Sequence, residues 1–230
     1  MPRSMPAPDS VPDHGLPSEF PVFPLEGALL LPHGRLPLNI FESRYLAMIE
    51  DALAHGRVLG MVQPNPTLSA GPNGPGLYRV GCLGRLSSFS ETDDGRFLIT
   101  LTGLIRFSIL NELPRRHGYR RVHADLSPFV ADLDVYGGGS GFDRTELLAA
   151  LRAYFTRHGF DANWEAIEQM EDESLVVTLA MVCPFAPEEK QALLEADSPA
   201  DRALALLALL ALLAMDGHDF DDGVGGSRAS

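Results

Sequence analysis

Lys190 is the only lysine in the chain, and its setting bears on most of the chemistry the sequence could perform. A phosphate-binding loop of the form G-x-x-x-x-G-K-[ST] needs a lysine directly behind a glycine, where its ammonium meets phosphate. Here Glu188 and Glu189 precede it. The same single lysine leaves no Ser–Lys dyad, and Lys190 reads as a solvated residue at a charged helix start. No H-E-x-x-H pair and no G-x-S-x-G elbow occurs. Gly139-Ser140-Gly141 comes nearest to an elbow, but Phe142 stands where its last glycine belongs, so Ser140 reads as linker. His33 and His55 flank turn glycines and have no ligand partner at metal spacing. Asp93-Asp94 and Asp221-Asp222 read as a turn and a solvated tail rather than acid/base machinery. The residues therefore point to no catalytic group, no cofactor and no metal.

Cys82 and Cys183 also lack metal spacing. Cys82 falls on the apolar parity of a strand and Cys183 ends an apolar helix. Both read as buried free thiols, which fits a reducing, cytoplasmic setting. The formal charge is −13 over 230 residues. A surface that acidic repels phosphate backbones and argues against nucleic acid as a partner. The opposing feature is the cluster Arg115, Arg116, Arg120 and Arg121, which reads first as a solvated loop. Residues 1–18 are rich in Pro and Ser without an apolar core, so they are expected to be a disordered tail and not a signal peptide. Ala203 to Met215 is wholly apolar but shorter than the roughly 20 residues a membrane span needs.

The element around which the chain is organised is a long hairpin over residues 77–110. In its second arm Phe97, Ile99, Leu101, Ile105, Phe107 and Ile109 fall on odd positions, and Thr100, Thr102, Arg106 and Ser108 on even ones. That period of two marks a strand with one buried face. Asp94-Gly95 supplies the turn. Phe20 to Leu25 reads as a short strand whose prolines suit an edge or a strand end, since proline cannot donate to a ladder. Leu36, Leu38 and Ile40 alternate as a second strand, with Pro37 implying an unpaired side or a bulge. Ser43 is placed to cap a helix over residues 44–55, with apolar Tyr45, Leu46, Ile49, Ala52 and Leu53 on one face. Val58 to Val62 reads as a buried strand, residues 64–76 as a Pro/Gly-rich loop, and Val122, Ala124 and Leu126 as a further strand. Glycines 81, 84 and 103 suit the bends of a closed or nearly closed barrel.

Beyond a Gly-rich linker at 135–142 the period becomes helical. Asp143, Asn163, Asp172 and Ser198 are placed as caps, and Pro187 and Pro199 as first-turn prolines. The domain reading is a disordered tail at 1–18, a β-barrel at 19–134, the linker, a helical bundle at 143–216, and an acidic, Gly-rich tail from 217 to 230. Ala203 to Met215 reads as a core helix. If the bundle does not surround it, its excess leucine face is expected to meet a second copy, as in a homodimer, or a partner.

Several ordered segments resemble one family. Phe23-Pro24-Leu25, Leu30-Leu31-Pro32, Gly34, the run from Leu36 to Glu42 and Arg44-Tyr45 resemble the opening of the Lon protease N-terminal, substrate-binding domain. Residues 77–82, Asp94-Gly95, residues 99–103 with Arg106-Phe107, and residues 187–195 look like its later segments. The resemblance runs from about Phe20 to about Met215 and is to a stand-alone member, because the chain stops before the ATPase and protease that follow in Lon. It implies an α+β fold: a PUA-like β pseudo-barrel with one packed helix, followed by an α-helical bundle. It also implies a non-enzymatic role in substrate recognition for protein quality control. The expected partners are unfolded or basic polypeptide segments and a protease or chaperone. Leu29, Leu30, Leu31, Phe41 and Tyr45 are the candidate grip on a peptide, against the alternative that Phe41 and Tyr45 are core residues joining helix to barrel. RNA binding, which PUA-like barrels can carry, and oligomerisation through Ala203 to Met215 are the competing functions.

Overall fold

The computed structural model describes residues 15–134 and 141–215. Most of the two expected tails and of the Gly-rich linker, with Ser140 and Asp221-Asp222, lies outside the described residues. The period-two ribbon forms as its alternation requires. β1 (Glu19–Pro24), β2 (Arg35–Ile40) and β3 (Val58–Val62) precede it. Then β4 (Val80–Glu91) pairs antiparallel with the 20-residue β5 (Phe97–Arg116). Phe97, Ile99, Leu101, Ile105 and Phe107 are all buried, but the first three join one apolar cluster and the last two another. The ladder to β4 shifts register between Leu83 and Gly84, and an extra β5 residue there changes which face the odd positions take. At the turn, Gly95 takes φ +77° and the Arg96 amide donates to the Thr92 hydroxyl at 3.1 Å.

Length is what lets β5 organise the sheet. It holds β4 along residues 97–108 and β6 (Tyr119–Asp125) along residues 108–116, with β2 on residues 97–102. The order β2-β5-β4-β3-β1-β6, with β6 returning to β5, closes a cylinder and leaves β2 as an appended edge. The unpaired side that Pro37 implied is therefore present. Of the two places its prolines suit, β1 takes the strand end at Pro24 and not the edge. It is interior, antiparallel to β6 over residues 19–22 and parallel to β3 over residues 22–24. Pro21 falls where only β6 is paired and Pro24 where only β3 is, so each proline has one unpaired side on which a missing N–H costs no ladder bond.

Gly103 marks a close approach. A Cβ there would stand 2.0 Å from the Leu31 carbonyl oxygen. Without one, the loop at 29–34 lies on the strand: His33 N donates to Gly103 O at 3.0 Å and Gly103 N to Gly34 O at 2.9 Å.

Two apolar clusters result. The barrel interior holds Phe20, Val22, Val58, Val62, Leu83, Ile105, Phe107, Val122 and Ala124, with Phe20 and Phe107 edge to face at 5.0 Å. The larger cluster takes the other face of β3 (Leu59, Met61), the Leu29–Leu31 loop, α1 and the helices. β3 is a continuous apolar run because both its faces are covered.

α1 (Ser43–Ala54) buries Tyr45, Met48, Ile49 and Ala52. Ser43 is its first residue rather than its cap. Glu42 holds the cap position, its carboxylate taken by Arg44 at 2.8 Å. After β6 comes a 3-10 stretch, Ser127–Leu133, which the sequence reading lacks. α2 (Arg144–His158) begins as expected, with Asp143 accepting from the Thr145 and Glu146 amides, and ends at Gly159. Asn163 caps α3 (Trp164–Gln169). Asp172 opens α4 (Asp172–Val182) from inside the helix; its carboxylate accepts from Arg144 instead of capping. α5 is Pro187–Glu195 and α6 is Pro199–Met215, with Ser198 accepting from the Asp201 amide at 3.1 Å. α6 buries Arg202, Ala203, Leu206 and Leu210. Leu204, Leu212 and Met215 are exposed, so α6 is a half-covered helix, packed on α2, α4 and α5 from one side.

Candidate functional site

The five residues expected to grip a peptide separate into two groups. Leu29, Leu30, Leu31 and Tyr45 are buried, whereas Phe41 is 66% exposed. The leucine loop is turned inward because its backbone is stitched to Gly103. Tyr45 packs on Phe23 with ring centroids 4.2 Å apart, under the Arg44 guanidinium. Burial raises its hydroxyl pKa. Tyr45 is thus a core residue joining helix to barrel, while Phe41 is surface. Phe41 stands two residues beyond Asn39, the cross-strand partner of the exposed Leu98. Phe89, also exposed, lies on β4 near the same end of the sheet, against Phe97 at 5.0 Å.

The arginine cluster is largely committed to carboxylates. Arg120 is buried, with Nε donating to Glu112 at 3.0 Å and Nη1 to the Pro75 carbonyl at 2.7 Å. Arg116 pairs with Asp51 at 3.2 Å, and Arg121 reaches Glu19 at 3.5 Å. Asp51 also accepts from the Tyr119 hydroxyl at 2.6 Å and lies 3.0 Å from His117 Nδ1. These bonds, the tyrosine's first, hold its carboxyl below the ordinary value. They tie α1 to the β5–β6 hairpin.

The thiols of Cys82 and Cys183 are buried and free. Burial pushes Cys183 up to about 11 and raises Cys82 further still, so neither is a thiolate at neutral pH. His55 Nδ1 sits 2.8 Å from the Asp51 carbonyl. Among the described residues, no group of three His, Cys, Asp or Glu side chains is arranged to hold a metal.

Lys190 departs most from its sequence reading. It is 7% exposed and donates to the Gly27 carbonyl at 2.8 Å. Burial lowers its pKa. Beside it Gln191 accepts from Gln63 at 3.1 Å and donates to the Val80 carbonyl at 3.1 Å. Gln63 in turn donates to the Pro187 carbonyl at 3.0 Å. α5 is pinned to the barrel by polar bonds, and a further tie comes from the barrel side. Arg106 grips Asp132 of the 3-10 stretch at 2.9 Å through Nε and again through Nη2, and Nη1 donates to the Leu194 and Ala196 carbonyls at 3.2 and 2.6 Å. One signal was available: Lys190 stands three and four residues before the buried Leu193 and Leu194, on their face of the helix. Arg106 gave none, since the outer parity of a strand ordinarily faces water.

Beside this tie, between Arg106, Asp132 and the first turns of α4 and α6, lies a cavity of about 410 Å³. An open recess of about 590 Å³ lies under the loop at 68–76.

Residues 19–211 match the ATP-dependent protease La (LON) substrate-binding domain, and the chain belongs to that family. It is 24% identical over 202 residues to a Lon protease of Flavobacterium johnsoniae, covering 84% of this chain and 24% of that protein. It is 26% identical over 125 residues to Lon protease 2 of Myxococcus xanthus, covering 54% of this chain and 15% of that protein. The chain thus spans a quarter or less of these relatives. Two solved structures share its fold. The Lon N-terminal domain protein from Xanthomonas campestris has a TM-score of 0.55 at 23% identity, over 83% of this chain and 97% of that one. The N-terminal domain of the Mycobacterium avium complex Lon protease has a TM-score of 0.58 at 16% identity, over 84% and 97%. No described helix is long and apolar enough to cross a membrane.

Proposed function

We propose that this chain is a non-enzymatic polypeptide-binding module, an adaptor in protein quality control that holds unfolded or basic segments for a protease or chaperone. The observation that carries the reading is the match of residues 19–211 to a substrate-binding domain. Two properties of the chain support it. Phe41 and Leu98 offer exposed apolar surface at one end of the sheet, and a net charge of −13 favours basic clients. Of the five candidate residues, the grip centres on the exposed Phe41, while Leu29, Leu30, Leu31 and Tyr45 belong to the core. Fluorescence anisotropy against a panel of unfolded and basic peptides tests this. Saturable binding that weakens in Phe41→Ser is the expected result; no saturable binding to any peptide rejects it.

A second reading, a homodimer through Ala203 to Met215, is favoured by the outward Leu204, Leu212 and Met215 of α6. That stretch carries no charge, so two acidic copies can meet along it without like-charge contact. Light scattering of the full chain and of Leu212→Glu separates a dimer from a monomer.

A further inference from the structure

The cavity beside Arg106 has a basic floor, an apolar wall and an acidic mouth. Arg202 lines it and is 4% exposed. Its Nε donates to the Leu193 carbonyl at 2.9 Å, but Nη2 is buried with no hydrogen-bond partner among the described residues. Buried guanidinium nitrogens are ordinarily satisfied, because an unpaired one keeps its full desolvation penalty. The nearby carboxylates are not free to supply the bond. Asp132 is gripped by Arg106 through two nitrogens, and Asp172 is held by Arg144. Burial, with repulsion from Arg106, lowers the Arg202 pKa to about 10, so it stays charged at neutral pH. Val176 and Val177, both buried, form an apolar wall. At the mouth stand Asp134, Glu173 and Asp197, all exposed.

The Arg202 charge favours an anionic oxygen in this cavity and the carboxylates at the mouth favour a cation, with apolar atoms between. A lone anion would face three carboxylates, and a lone cation would meet a buried guanidinium. The geometry points to the carboxyl terminus of a basic polypeptide, its terminal carboxylate on Arg202 and a Lys or Arg side chain among Asp134, Glu173 and Asp197. The volume, about 410 Å³, lies at the lower end of the roughly 300–1,000 Å³ of small-ligand sites, which suits a chain end rather than a chain passing through. This assignment rests on the polypeptide-binding reading and narrows it to one kind of client end.

The test uses the full chain and a fluorescein-labelled peptide ending in Leu-Leu-Lys, with a free carboxylate or with a carboxamide. The free acid is expected to bind about tenfold more tightly than the amide. Glu173→Gln with Asp197→Asn, both at exposed sites, is expected to weaken the free acid and to leave a peptide ending in Leu-Leu-Leu unchanged. Arg202→Met is expected to abolish the acid–amide difference. Should that variant fail to fold, the amide comparison and the mouth variants still decide. Free lysine is expected to compete only weakly; competition as strong as the peptide's would make this an amino-acid site and overturn the assignment. Equal binding of acid and amide, with binding still lost in Phe41→Ser, overturns the cavity assignment and leaves the broader reading standing. Absence of saturable binding by either peptide, or by the wider panel, removes both.

Discussion

A few side chains carry more of this structure than their neighbours, and each makes a definite claim. Arg106 and Asp132 are both almost fully buried, at 6% and 9% side-chain exposure. Removing one partner strands the other charge, so Arg106→Met is expected to lower unfolding free energy by about 3–5 kcal/mol, read by chemical denaturation. Gly103→Ala places a methyl group against the Leu31 carbonyl, and overpacking of that kind costs about 1–3 kcal/mol. Asp51 has a folded pKa below its ordinary 3.8, chiefly because the Tyr119 hydroxyl donates to it. A depressed acid stabilises above its unfolded pKa, and that contribution is lost as pH falls through the folded one. Acid titration of stability should therefore show a loss beginning near pH 4 that is smaller in Asp51→Asn.

Elements were legible wherever their evidence was local. The alternation in β5 and the caps Asp143, Asn163 and Ser198 could be read because a strand face or a first turn is decided within a few residues. Asp143→Ala is accordingly expected to destabilise by about 1 kcal/mol, since two amides lose their acceptor. What sequence could not supply was pairing between distant segments. The two prolines of β1 suit an edge or a strand end, and Pro24 does end the strand; its interior place depends on β3 and β6 taking different halves of it. Lys190 looked solvated because of Glu188 and Glu189, but its helix lies on the barrel. The leucine loop reads as apolar surface for a grip; the glycine that draws it inward is about seventy residues away, at position 103. Phe41 alone of the five kept its place at the surface.

At the scale of the molecule, the larger apolar cluster passes through β strands, α1 and the helices alike. Barrel and bundle share a core and are joined by Lys190, Gln191 and Arg106, so thermal unfolding followed by near- and far-ultraviolet circular dichroism should give one coincident transition. Two separated transitions would show that the halves fold apart. Such a body belongs to a substrate-binding family, and the proposed function has it bind clients by surface and charge. Calorimetric titration of the full chain with one basic protein, presented once folded and once permanently unfolded, tests that most directly. The account predicts saturable heat with the unfolded form and none with the folded one; equal binding to both, or to neither, contradicts it.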